Sequence, residues 1–191
     1  DTSAAGPFDQ WPLSRGFDRY YGFLQGETDQ FSPELYCDNH PIDPPRTPEE
    51  GYHLSEDLVD QAIGMVRSQK SAIPEKPFFL YLAFGATHAP HQAPQSYVDK
   101  YRGRFDAGWD KIREQWFEKQ KALGIVPPDT QLAPRNPGVE PWDTLPDMQK
   151  KLALKLQEAY AAFLAHTDEQ VHVADDGEHI LHEPEDFDDG G

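Results

Sequence analysis

The sequence predicts an α/β fold, a mixed or parallel sheet flanked by helices. Three observations carry this. The unbroken apolar run "FFLYLAF" at 78–84 has strand length and ends in a turn, as a strand buried on both faces does. Residues 55–69, with helical periodicity, precede it across the linker "SAIPEKP". Further helical patterns follow at 95–123 and 147–170. Helix, short connection and continuous apolar strand in succession mark a sheet with helices on its faces.

Taken in order, residues 1–52 are rich in Gly, Pro and aromatics, with a short strand expected around Tyr20–Leu24. The stretch "YCDNHPIDPPRTPEEGYH" reads as loop, because its prolines oppose helix and strand alike. In the first helix, Ser55 is the expected N-cap. Glu56 and Asp57 suit the positive helix start, and Leu58, Val59, Ala62, Ile63 and Val66 share a face. The 95–123 pattern breaks near Gly103, then carries Trp109, Ile112, Trp116 and Leu123 on one stripe. Residues 124–146 hold six prolines and read as irregular; a loop of this length is usually functional or elaborates a site. In 147–170, Leu152, Leu156, Ala159, Tyr160 and Phe163 recur at helical spacing, and the pattern stops after Val171. One strand makes no stable sheet. Either further strands hide in the first 50 residues or the sheet belongs to something larger.

Composition narrows the partners. The chain has 191 residues, 37% hydrophobic residues, 18 prolines and a formal charge of −17. That charge argues against a nucleic-acid backbone or an anionic membrane, though not against a small anion. Residues 172–191 alone supply eight Asp/Glu and no Lys or Arg, and read as a disordered acidic tail. One cysteine, Cys37, precludes an intrachain disulfide. No apolar run has transmembrane length and no signal-peptide pattern occurs, which leaves the compartment open between cytoplasm and periplasm. The start, "DTSAAGPFDQWP", reads as the interior of something longer.

Several residues invite chemistry. His88 follows the 78–84 run by four residues. Ligands of open α/β sheets bind beyond the carboxyl ends of strands, where an imidazole can hydrogen-bond an anionic oxygen or transfer a proton. The bland alternative is a loop histidine held by backbone. His91 has the weaker claim and reads as packing or solvent-facing. Cys37 with a histidine would make a nucleophile pair, but "YCDNH" offers no catalytic setting and an inert thiol is the simpler reading. His172, Asp175, Asp176, Glu178, His179 and His182 would form a weak metal site, or only a solvated tail. Trp109, Trp116 and Phe117 would make a ligand platform, with core packing the default.

Five strings, "GPFDQWPLSRGFDRYYGFLQGETDQ", "DNHPIDPP", "TPEEGYHLSEDLVDQAI", "KPFFLYLAFGATHAPHQAP" and "AAFLAHTDEQV", occur in that order. Together they resemble the arylsulfatase branch of the type I sulfatases, within the alkaline-phosphatase-like superfamily, over about residues 5–171. The resemblance implies a partial alkaline-phosphatase-like α/β domain and hydrolysis of sulfate esters. It also implies a formylglycine made from cysteine in a C-x-P-S-R-type motif, and a calcium ion held by Asp and Asn. His88 of "GATHAPHQAP" matches the family histidine that contacts the sulfate, which implies both a catalytic and a substrate-binding role; His91 is not carried over. No C-x-P-S-R motif occurs, so Cys37 is not the formylglycine precursor, and the expected calcium ligands are absent. The expectation is the middle of a sulfatase catalytic domain at 1–171 with an unrelated tail at 172–191, from a truncated, split or frame-shifted gene. Alone it would be inactive, with the missing parts of its own domain as partner. The rival is a non-catalytic anion-binding or interaction module with an acidic tail.

Overall fold

The computed structural model describes residues 2–176. The chain forms two compact units, one from Asp1–Pro94 with Phe163–Gly191 and one from Gln95–Ala162.

In the first unit, β1 (Tyr21–Gly22), β2 (Leu35–Cys37) and β3 (His40–Ile42) form an antiparallel sheet in the order β1-β2-β3. A mixed or parallel sheet was the expectation, and 36–53 was expected to be loop; the hairpin β2–β3 corrects both. Cys37 faces His40 across a two-residue turn at Asp38 and Asn39. Asp38 takes φ +55°, a left-handed conformation that Asp tolerates because its short side chain bonds locally. Here its Oδ1 accepts from Tyr20 N–H at 3.0 Å and from Arg19 Nε at 3.3 Å. Pro41 is accommodated because β3 is an edge strand.

Leu35, Tyr52, Leu54 and Leu58 make the buried core of this unit, with Tyr21, Phe23, Ile42, Leu82 and Phe84 packed against it. The 78–84 segment belongs to no sheet among the described residues. Leu82 and Phe84 touch the core, while Phe79 and Tyr81 are 79% and 72% exposed. The strand alternation is therefore visible in burial but has no ladder. A run of apolar residues records a preference for burial, whereas a strand also needs a neighbour to take its backbone hydrogen bonds.

The helix α1 (Leu54–Ala72) begins one residue before the expected N-cap. His53 caps it, its Nδ1 accepting from Ser55 N–H at 3.2 Å. Asp57 on the first turn accepts from Tyr21 Oη at 2.6 Å and Tyr52 Oη at 2.9 Å. Burial, with this shared carboxylate, pushes both phenols well above their ordinary pKa.

In the second unit, α2 (Gln95–Tyr101) and α3 (Gly108–Ala122) are separated at Gly103, whose φ is +74°. The buried Glu158 side chain accepts from Gly103 N–H at 2.9 Å and from Lys155 Nζ at 2.7 Å. The proline-rich stretch is irregular up to a 3-10 turn at Trp142–Thr144.

The long helix α4 (Asp147–Asp176) contributes to both units. It buries Glu158, Ala162, Phe163, His166 and Thr167. Leu152 and Leu156 are instead 60% and 52% exposed, so the apolar stripe expected there splits between a buried and an exposed face. The helix runs through 172–176, past the expected end of the pattern; the rest of the expected tail lies outside the described residues.

Candidate functional site at the His88 turn

Behind Phe84 the chain turns sharply, with His88 N–H donating to Gly85 O at 3.0 Å. Gly85 is there for closeness. A Cβ on it would sit 2.9 Å from Gln30 Nε2 and 3.5 Å from the Phe23 ring. The turn is thus pressed against the 23–30 segment, and Gln92 fastens its far side. The Gln92 amide accepts from Gln30 N–H and donates to Asp29 Oδ2, both at 2.7 Å, and its carbonyl accepts from His53 Nε2 at 3.2 Å.

Asp29 organises the facing loop. Its Oδ1 accepts from Phe31 N–H and Ser32 N–H, both at 2.8 Å. Partial burial opposes its ionisation, but the hydrogen bonds from Gln92, Phe31 and Ser32 outweigh that and hold the carboxyl below its ordinary pKa.

On this platform the His88 ring stands in the open, 61% exposed. Its Nδ1 is 2.8 Å from Ala89 O and 3.2 Å from Glu27 Oε2. Both neighbours are acceptors, so Nδ1 carries the proton and Nε2 is the nitrogen that can meet a ligand. The Glu27 contact is exposed, worth at most about 1 kcal/mol in stability; its effect is on ring orientation. Expectation named His88 but not Glu27, Asp29 or Gln92. The signal was present in "GETDQ", an acidic pair in a glycine-led loop, but without a contact map nothing linked it to residues some sixty positions away.

Beneath the turn is a buried histidine pair. His53 and His166 meet edge-to-face with ring centroids 4.3 Å apart, and His166 Nε2 lies 3.0 Å from Glu56 Oε1. Burial, aided by His166, pushes His53 down to about 4. With Nδ1 accepting from Ser55, the neutral ring carries its proton on Nε2 and donates it to the carbonyl of Gln92.

The other candidates lie elsewhere. His91 is half-buried in the same turn. Cys37 is a half-buried free thiol in β2, opposite Tyr21 and His40. Trp109 packs on Trp142, and Phe117 lies under the Lys121 ammonium, 4.5 Å from the ring centroid. His172 is exposed on α4, while Glu178, His179 and His182 lie outside the described residues. Among the described residues no group of three or more His, Cys, Asp or Glu is placed to hold a metal ion. The described residues do not fit a calcium cage. No described helix is long and apolar enough to cross a membrane.

The family model described as Sulfatase matches residues 1–173. The chain belongs to the sulfatase family. An uncharacterised sulfatase of Schizosaccharomyces pombe is 32% identical to it over 174 residues, covering 82% of this chain and 30% of that protein. The arylsulfatase of Klebsiella aerogenes is 30% identical over 168 residues, covering 84% of this chain and 35% of the bacterial enzyme. Mouse arylsulfatase J is 33% identical over 107 residues, covering 49% and 17%. This sulfatase chain spans about a third of the length of the fission-yeast and Klebsiella proteins. The family places it in an alkaline-phosphatase-like α/β fold, of which the small antiparallel sheet and helices described above form a part.

Proposed function

We propose that this chain supplies the His88 turn of a site that hydrolyses sulfate esters, aryl sulfates among them, and that His88 is its catalytic and substrate-binding residue. One observation carries the reading. The His88 Nδ1–H is held between Ala89 O and Glu27 Oε2, which leaves Nε2 of this largely exposed ring as the nitrogen to meet a ligand. As imidazolium, Nε2–H donates to a sulfate oxygen or to the bridging oxygen as the S–O bond to the leaving group breaks. Glu27, against Nδ1, holds the ring in the orientation for that donation. The family membership and the relatives named arylsulfatase support the substrate class.

The family's calcium and formylglycine would supply Lewis-acid polarisation of the sulfate and the nucleophile. Cys37 stands in "YCDNH" rather than in a C-x-P-S-R motif, and no described cluster suits the ion. The proposal therefore includes that these 191 residues do not turn over substrate alone and act together with further sulfatase-domain segments. Incubation of the chain with p-nitrophenyl sulfate and calcium should release no nitrophenol above the blank; turnover that co-purifies with the chain refutes this part.

The role of His88 is tested by grafting residues 5–171 into a complete arylsulfatase that supplies nucleophile and calcium site. His88→Ala should lower kcat by about 100- to 1,000-fold, and His91→Ala by far less. If both variants stay within about threefold of the parent, a difference of roughly 0.7 kcal/mol, His88 is a loop histidine. If His91→Ala is the damaging change, the role belongs to His91.

A further inference from the structure

We propose that the Gln95–Ala162 unit carries a binding site for a fused-ring aromatic anion. The site is a cavity of about 240 Å³ walled by Phe105, Trp109, Ile112, Trp116, Trp142 and Leu154, with Arg113 and Gln157 as its polar groups.

The walls are fixed by contacts that reach beyond apolar packing. Trp142 lies so close over Gly108 that a Cβ there would come within 2.2 Å of the indole, and Gly108 holds φ +78°. Trp142 N–H donates to Asp110 Oδ2 at 2.9 Å, and Trp109 Nε1 donates to Glu140 O at 3.2 Å. The two indoles meet edge-to-face with centroids 5.0 Å apart. Core packing accounts for these rings. It does not account for Trp116, which lines the same cavity yet is 52% exposed. A large ring kept half in water at the side of an apolar cavity has an unused face, and aromatic ligands stack on such faces.

Volume and charge select the ligand. An apolar cavity of about 150 Å³ accepts benzene, so this one has room for two fused rings. Asp110 is already matched, receiving Arg135 Nε at 2.9 Å as well as the Trp142 N–H. Arg113, anchored through Nη2 to Ala133 O at 2.6 Å, adds a second guanidinium beside that one carboxylate. Arg113 is the charged residue among those lining the cavity, which favours an anionic substituent, and a guanidinium suits a carboxylate geometrically.

The test is titration of the full 191-residue chain with 2-naphthoate and with the uncharged 2-naphthol, followed by the indole N–H resonances of its four tryptophans. Saturable shifts of Trp109, Trp116 and Trp142 are expected, with a Kd of roughly 0.1–1 mM. Trp11, buried in the other unit, is the internal control and should not shift. Trp116→Ala should weaken binding about tenfold or more. Arg113→Gln should weaken 2-naphthoate selectively, and Ala153→Trp should block both ligands by filling the cavity. Trp116→Ala removes an exposed ring and leaves the buried walls in place, so its result decides even where Ala153→Trp disturbs folding. Absence of saturation, shifts that include Trp11, or affinity unchanged in Trp116→Ala overturns the site. Equal affinity for 2-naphthol, or for Arg113→Gln, overturns the anion preference and with it the proposal.

Discussion

At the scale of single residues, His53 does three jobs with one ring. It caps α1 through Nδ1, holds the His88 turn through Nε2, and packs on His166. The cap depends on the ring being neutral, because a protonated Nδ1 cannot accept from Ser55 N–H. Its folded pKa of about 4 lies below the ordinary 6.5. Unfolded, it takes a proton as pH falls through about 6.5; folded, it does not until about 4. Its contribution is therefore complete above that upper value and is lost across the window down to the lower one, by about 3 kcal/mol. Urea midpoints measured from pH 7.5 to 4 should fall in that window. His53→Asn keeps a capping oxygen without a titrating ring and should flatten the fall. A fall of the same size in His53→Asn would show that His53 is not its source. None of this was visible beforehand, because a histidine cap looks like any loop histidine, and Ser55 next door is the commoner capping type. The position of His88 after an apolar run was legible; its role is what the graft of residues 5–171 tests.

At the scale of elements, the helices were the legible part. Their spacing is local, so Leu58, Val59, Ala62 and Val66 announce a buried face without knowledge of what covers it. The β2–β3 hairpin escaped because its turn uses Asp38 in a left-handed conformation between residues rich in proline, not the Asn-Gly or Asp-Gly pair that advertises a two-residue turn. The α4 stripe misled because Leu152, Leu156 and Phe163 obey one period but not one environment. The junction of α3 with Trp142 gives a sharp test. Gly108→Ala adds a methyl to a positive-φ position with an indole 2.2 Å away. It should cost about 2–4 kcal/mol, read as a lowered thermal midpoint. Gly124→Ala, also at positive φ but in open space, should cost no more than about 1–2 kcal/mol. Equal losses would show that backbone strain alone matters at Gly108.

At the scale of the whole molecule, the fold class was legible as α/β, but the sheet was not. Pairing is non-local, and the 78–84 segment shows the apolar signature of a buried strand while having no ladder partner among the described residues. Phe79 and Tyr81 then face water beside an open backbone edge, the arrangement that invites edge-to-edge association. The double variant Phe79→Lys, Tyr81→Lys should reduce concentration-dependent self-association in sedimentation velocity and leave helix content unchanged, because neither ring is part of the buried core. Self-association undiminished by the pair would place its cause elsewhere.

That same segment decides where the chain is first cut. Proteases bind substrates as extended strands and need several consecutive residues out of any ladder. Chymotrypsin, which cleaves after aromatic residues, meets such a stretch at Phe79 and Tyr81, whereas Phe163 is fully buried on a helix. Digestion for seconds to minutes should therefore nick the chain between α1 and α2 before the helices are touched, and the two halves should part only on adding denaturant. The turn bearing His88 lies just beyond the cut, and the histidine would remain tied to the loop before it through Glu27 and Gln92 after the covalent connection is gone.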